Sequence, residues 1–471
     1  MDDTVGMALR RWLTTLVRRD PGPDARTKAE ALQLLGGEGC PVCRVAEDAV
    51  RRWFHTYENE SRSDPRMRER IERSFGFCAT HTRHLLDLGA SSSWLARWVF
   101  ADVARAGTAA LRVATVPTPE ACPACEVAAR AVTDTLGTLA VGLVDDEARS
   151  LLDAGDGLCV THGVAVIERS GPVVARAVAE MLESRLGKDP VLARDHLIGL
   201  DPDRSRRRRA REERAERVLA AEETSRRRGS AADLVLDWPC CPLCAAADRV
   251  EWRYLHWLAG LSRDESAELR AEAMLCPRHL GDLTSFRHVG DLSDRELTDD
   301  GLLGSVAAVI DHVAGLWRAD LHAFLQRLDA SPWAGIVHVQ PPRGVESCQL
   351  CARKRAAEQR EARLLEAIAA DPAYDARLSR AHGVCLRHGL TTELPPAWRR
   401  LLRARVGLLS FELDEAERKA GWDARWEVRG SEMAAWRRAP TLLDGAVLGP
   451  IAPDSDPPPR TSAPPEPPDA L

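Results

Sequence analysis

Twelve of the thirteen cysteines in this chain fall into two alternating patterns, a Cys-x2-Cys pair and a Cys-x2-His pair. The first half carries Cys40 and Cys43 then Cys78 and His81, followed by Cys122 and Cys125 then Cys159 and His162. The second half repeats the order with Cys241 and Cys244 then Cys276 and His279, and Cys348 and Cys351 then Cys385 and His388. Chance would supply roughly 0.3 of the first pair and roughly 0.4 of the second at this composition, so four of each in alternation is a built feature. The second and third cysteines of a unit are 35, 34, 32 and 34 residues apart, which makes the units an internal repeat.

Three thiolates and one imidazole form a complete tetrahedral set for a structural Zn2+. The sixteen residues are therefore read as ligands of four Zn2+ ions, one Cys3His set to each unit. An iron–sulfur cluster draws on the same ligand types and stays open as an alternative. Pro41, Pro123 and Pro242 follow the first cysteine of their units. Proline there has the φ that begins a helix, which places the cysteine at the N-cap, where free amides and the helix dipole favour a thiolate. In the Cys-x2-His pair the two side chains are three apart and project from one helical face.

The 31 to 34 residues between the pairs suffice for two helices of about 12 to 16 residues and a turn. In the first unit Val42 to Asn59 reads as the outward helix, Ser61 to Pro65 as the turn and Arg66 to Ser74 as the return. Gly76 then closes the return. Gly157 and Gly383 match it, whereas the third unit has Met274 at that place. The third unit reads as Leu243 to Gly260, a turn at Ser262 to Asp264, and Glu265 to Met274. Each ion is accordingly expected to close its own hairpin, although spacing alone leaves an exchange of half-sites between units open.

Composition agrees with an all-α fold. Tyr (3) and Phe (7) are few, and alternating β-branched runs are nearly absent. The expected organisation is N-terminal helices at 1–37, metal units 1 and 2 at 38–188, and an Arg-rich helical linker at 189–233. Metal units 3 and 4 follow at 234–430, then a C-terminal helix at 431–449 and a disordered tail at 450–471. Helices are expected over Val5 to Arg18, Arg26 to Leu35, Trp94 to Val113, Val173 to Leu186, Gly304 to Leu328 and Ala397 to Leu413. Nine of the last 22 residues are proline, so the tail cannot add to a core.

The formal charge of -6 moves to about -10 with four Zn2+ on twelve thiolates, which argues against a globally basic nucleic-acid binder. Residues 204–228 nevertheless hold eleven arginines against five glutamates. A solvated linker is the plainer account of that run, and a phosphate-binding segment the sharper one. No leader-like h-region or span of ~20 apolar residues is visible, so a cytoplasmic location without membrane contact is expected. In a reducing compartment cysteines serve metals more readily than disulfides.

A closed four-ligand site has no open position for substrate, and no P-loop, dinucleotide fingerprint or His-Glu-x-x-His is present. No catalytic or cofactor-binding residue is assigned beyond the ligands, and an enzyme is not the expectation. His84 reads as an ordinary surface or supporting histidine, and Cys240 as a bystander beside a ligand. Trp53, Trp252 and Trp257 read as core packing on the inner face of the outward helices.

Cys40-Pro41-x-Cys43 with Gly76-x-Cys78-x2-His81 resembles a bacterial family of unknown function whose members are helical and are taken to bind metal. Asp423 to Gly445, with Trp426 and Trp436, is similar to that family's end, while four units exceed its shorter members. The resemblance covers motifs and implies no reaction or substrate. The expected role is a zinc-stabilised helical scaffold that binds another macromolecule, in the first place a protein. A thiol-based redox sensor that releases zinc on oxidation, and a nucleic-acid binder using the Arg-rich run, are the rival readings.

Overall fold

The computed structural model describes residues 23–61, 63–89, 93–113, 117–187, 190–199, 230–259, 275–284, 299–330, 348–424 and 426–445. Among them every regular element is helical. In the first half these are α1 (Ala25–Leu35), α2 (Pro41–Thr56), α3 (Pro65–Arg73), α4 (Ala79–Gly89), α5 (Ser93–Ala110), α6 (Pro123–Gly142), α7 (Asp146–Ala154), α8 (Val160–Ile167), α9 (Pro172–Leu186) and α10 (Pro190–Ile198). The second half has α11 (Ala231–Asp237), α12 (Pro242–Ala259), α13 (Pro277–Thr284), α14 (Asp299–Ala330), α15 (Gln349–Ala370), α16 (Asp375–Leu378), α17 (Leu386–Thr391), α18 (Pro396–Ala420) and α19 (Ala435–Leu443). The expected helix at 5–18, the third unit's turn and return helix, the arginine run and the proline-rich tail lie outside the described residues.

Local chemistry accounts for the boundaries. Pro41, Pro123 and Pro242 open α2, α6 and α12, and Cys40, Cys122 and Cys348 are the N-caps of α2, α6 and α15. Asp64 and Asp145 cap α3 and α7 through their carboxylates, and Ser230 with Asp233 forms a capping box on α11. Gly76, Gly157 and Gly383 take φ of 92°, 70° and 85°, the left-handed turn that lets the chain leave one helix and enter the next half-site.

Long helices pair within each half, α2 on α6 and α12 on α15. Others pair between halves: α5 lies on α18, and α9 on α14. On α18 the buried side chains Trp398, Leu402, Val406, Leu409, Leu413 and Ala416 recur every three or four residues, one stripe facing its partner. Two large hydrophobic clusters result among the described residues, each drawing on both halves. Pro190–Ile198, within the segment expected to be linker, buries Ala193 and Leu197 in the first of these. Polar ties reinforce the crossing: Trp98 Nε1 donates to Glu417 at 2.6 Å, Arg105 pairs with Asp414, and Arg176 reaches Asp329 at 2.5 Å.

Candidate metal centres

Four Cys3His groups form, but their membership differs from the expectation of one ion closing each hairpin. Cys40 and Cys43 meet Cys159 and His162, while Cys78 and His81 meet Cys122 and Cys125. The second half does the same, with Cys241 and Cys244 on Cys385 and His388, and Cys276 and His279 on Cys348 and Cys351. Cys43 thus shares no group with His81. Half-sites are exchanged between sister units, and an outer centre encloses an inner one in sequence.

Helix length is the physical reason. At ~1.5 Å per residue α2 runs ~24 Å from its Cys40 cap, whereas the returning α3 has nine residues and covers ~13 Å. Cys78 therefore stays at the far end of α2. The second unit shows the same mismatch more strongly, its 20-residue α6 spanning ~30 Å against nine residues in α7. In the fourth unit a 22-residue α15 is answered only by a 3-10 turn and the four-residue α16. Each outward helix delivers its following half-site to the start of its partner helix, and the two centres of a half lie at opposite ends of the helix pair.

The donor atoms make compact tetrahedra. A tetrahedral ion with bonds of about 2.3 Å to sulfur and about 2.0 to 2.1 Å to nitrogen holds sulfurs about 3.8 Å apart and sulfur about 3.5 Å from nitrogen. In the outer first centre His162 Nδ1 lies 3.5, 3.3 and 3.2 Å from the sulfurs of Cys40, Cys43 and Cys159, and Cys43 is 3.8 Å from Cys159. In the inner first centre His81 Nδ1 lies 3.3, 3.5 and 3.4 Å from Cys78, Cys122 and Cys125, with Cys78 3.6 Å from Cys125. His388 Nδ1 stands at 3.5, 3.3 and 3.3 Å from Cys241, Cys244 and Cys385. For His279 Nδ1 the distances to Cys276, Cys348 and Cys351 are 3.4, 3.3 and 3.5 Å. Nδ1 faces the sulfurs in all four.

Where protons alone balance the charge, the first thiol of a pair becomes the anion. Hydrogen bonds from Cys125 and Cys78 hold Cys122 down at about 3, and one from Cys276 does the same for Cys348, also at about 3. Cys125 is pushed up by the same neighbours, Cys122 and Cys78. Burial works against a charged His388, yet hydrogen bonds to the sulfurs of Cys241 and Cys385 prevail and push it up to about 11.

The surroundings separate the centres. Both outer centres have two buried cysteines, and each is covered by a glycine that the sequence did not single out. Gly199, following α10, has φ 72°, and a Cβ there would lie 3.0 Å from Cys43 Sγ and 3.3 Å from Cys159 Sγ. Gly445, near the end of α19, has φ 71°, and its Cβ would lie 2.2 Å from Cys244 Sγ and 3.0 Å from Cys385 Sγ. Only a residue without a side chain fits so close to the sulfurs. The inner second centre is backed by buried polar groups: Glu251 Oε1 stands 3.8 Å from His279 Nε2, Lys354 pairs with Glu251, and buried Asp282 completes the set. A carboxylate behind a ligating imidazole orients the ring. Centres from opposite halves share each hydrophobic cluster, and Arg387, between Cys385 and His388, donates to the Phe77 carbonyl at 3.0 Å, beside Cys78.

Comparison of the chain with protein-family models, curated proteins and solved structures found no match. The geometry alone therefore carries the functional argument. His84 lies outside the four groups and stacks on Phe54 at 4.6 Å. Cys240 is also outside them, buried against Trp238 and Ala245. Trp53 stacks on Tyr57 at 5.4 Å, and Trp252 on His256 at 4.9 Å. Trp257 is 41% exposed, contrary to its expected inward position, because α12 buries the stripe through Glu251, Tyr254, Leu255 and Leu258. No single helix among the described residues is long and apolar enough to cross a membrane.

Proposed function

We propose that the protein is a zinc-stabilised helical scaffold of the cytoplasm that binds a protein partner. The convergence of three sulfurs and one imidazole nitrogen at tetrahedral spacing, four times over, carries the zinc assignment. An iron–sulfur cluster spreads its ligands over several irons, whereas four donors within 4.8 Å of one another suit a single ion. The four ligands leave no open position for a substrate, which favours a structural ion over a catalytic one. Support for partner binding comes from the C-terminal region, where Phe411, Trp422, Trp426 and Val428 are 66%, 75%, 72% and 87% exposed. The nucleic-acid reading rests on residues 204–228, outside the described residues.

Elemental analysis of the purified protein tests the metal, with about four zinc ions per chain expected. Cys43→Ser lowers that count by about one and releases the start of α2 from α8. Iron in place of zinc, or an unchanged count in the variant, overturns the assignment. Substitution of Trp422 and Trp426 by serine abolishes capture of the protein partner while zinc content stays constant; undiminished capture refutes this surface as the binding face.

A further inference from the structure

The four centres are not equally protected. In each outer centre two cysteines are buried and a glycine of the following helix region closes over the sulfurs. The inner second centre has a buried histidine, with Glu251 standing 3.8 Å behind it and paired to Lys354. Among the described residues the inner first centre has none of these covers. Its four ligands are all at least partly accessible, and Cys125 is the one cysteine of the thirteen that is exposed. Its neighbour in the group, Cys78 Sγ, is 3.6 Å from Cys125 Sγ.

Resting on the reading that the groups hold zinc, we propose that the Cys78–His81–Cys122–Cys125 centre is an oxidative modification site that takes hydrogen peroxide and gives up its ion while the other three keep theirs. Reactivity of a cysteine follows thiolate character and access, and zinc keeps all twelve sulfurs as thiolates, so access decides among them. The Cys125 sulfur attacks one peroxide oxygen and the O–O bond breaks. The other oxygen leaves as hydroxide and takes up a proton to become water, and Cys125 becomes a sulfenic acid. A second thiolate of the same centre, Cys78 or Cys122, then attacks the Cys125 sulfur. An S–S bond forms, the S–O bond breaks, and the departing hydroxide is protonated to a second water. Two electrons pass from two thiolates to one peroxide. One thiolate and one imidazole remain, too few to hold Zn2+.

The consequence is local at first. This centre ties the start of α4 to the start of α6, and α5, which follows α4, packs on α18 of the other half. Oxidation therefore loosens a seam between halves without removing the outer centres.

The experiment uses the full-length zinc-loaded protein. Zinc is first counted by elemental analysis, so a failure of the zinc reading shows before any oxidant is added. Hydrogen peroxide is then titrated with a zinc-release dye present, and modified cysteines are mapped by mass spectrometry after alkylation. The expected result is one ion per chain released roughly tenfold faster than the rest, with Cys125 in a disulfide to Cys78 or Cys122. Release of all ions at one rate, or a first phase mapping to another centre, overturns the proposal. Cys125→His, which keeps four zinc-competent ligands, slows the first phase to the rate of the other three; a first phase that persists while the variant holds its full zinc overturns it too. Should that variant lose its ion, the wild-type mapping decides alone.

Discussion

Counting ions in pairs of variants tests the exchange of half-sites. Cys43→Ser removes a ligand from the centre that contains His162, and His162→Ala then strikes a site already lost. Zinc falls from about four per chain to about three in either single variant and stays at about three in the double. Cys43→Ser with His81→Ala damages two centres instead, and the count falls to about two. Stability follows the same logic. Zinc linkage contributes on the order of 10 to 16 kcal/mol in isolated finger peptides, so the first ligand lost costs several kcal/mol and the second at the same ion little more. A thermodynamic cycle therefore shows strong non-additivity for Cys43 with His162 and near-additivity for Cys43 with His81. Elemental analysis and denaturant titration supply both readings. A count of about three for Cys43→Ser with His81→Ala, or about two for Cys43→Ser with His162→Ala, refutes the helix-length argument behind the exchange.

Two further perturbations follow from the same centres. Gly445→Ala destabilises its centre more than Gly199→Ala, because its Cβ would stand 2.2 Å from a sulfur against 3.0 Å. The left-handed φ costs alanine about 1 to 2 kcal/mol and the overpacking about 1 to 3 kcal/mol more, read out as faster zinc loss to a chelator and a lower Tm. Equal behaviour of both variants and wild type contradicts the covering role. Acid acts on the thiolates: in the metal-free form Cys122 and Cys348 are held at about 3 while their partners Cys125 and Cys276 are pushed up, so strong acid protonates the last thiolate of each set. Zinc competes with protons for the same sulfurs, so ion loss accompanies it. Zinc content and far-ultraviolet circular dichroism followed down to about pH 2 check this, and full retention of both at the acid end refutes it.

That these cysteines and histidines gather into four Cys3His groups was legible because spacing is written in the chain. Proline after the first cysteine and glycine before the third announced the helix starts and ends that the structure shows at Pro41, Pro123, Gly76 and Gly157. Which half-sites share an ion was not legible, since that depends on how far each helix runs before it turns. The outward helix read over Val42 to Asn59 matches α2 and the π turn that follows it, but the nine residues of α3 were credited with a full return. The covering glycines were missed for a related reason. Gly199 lies 37 residues beyond His162 and Gly445 lies 57 beyond His388, and a glycine that close in space but that far in sequence carries no local signature. Trp257 was misread because its neighbours Tyr254 and Leu258 define a buried stripe one step around the helix.

Nesting of the ligands also sets a problem for synthesis. On the ribosome Cys40, Cys43, Cys78 and His81 emerge together, a full tetrahedral set, before Cys122 exists. Joining Cys43 to His81 closes 38 residues, whereas the native join to His162 closes 119, and the chain entropy separating these loops is only about 1 kcal/mol. Helix pairing easily outweighs that at equilibrium, yet it is not available until α6 has been made. On the proposed zinc reading, a nascent chain that meets the ion early binds it in a mismatched set that must be handed over later, and translation without metal followed by its delivery avoids the detour.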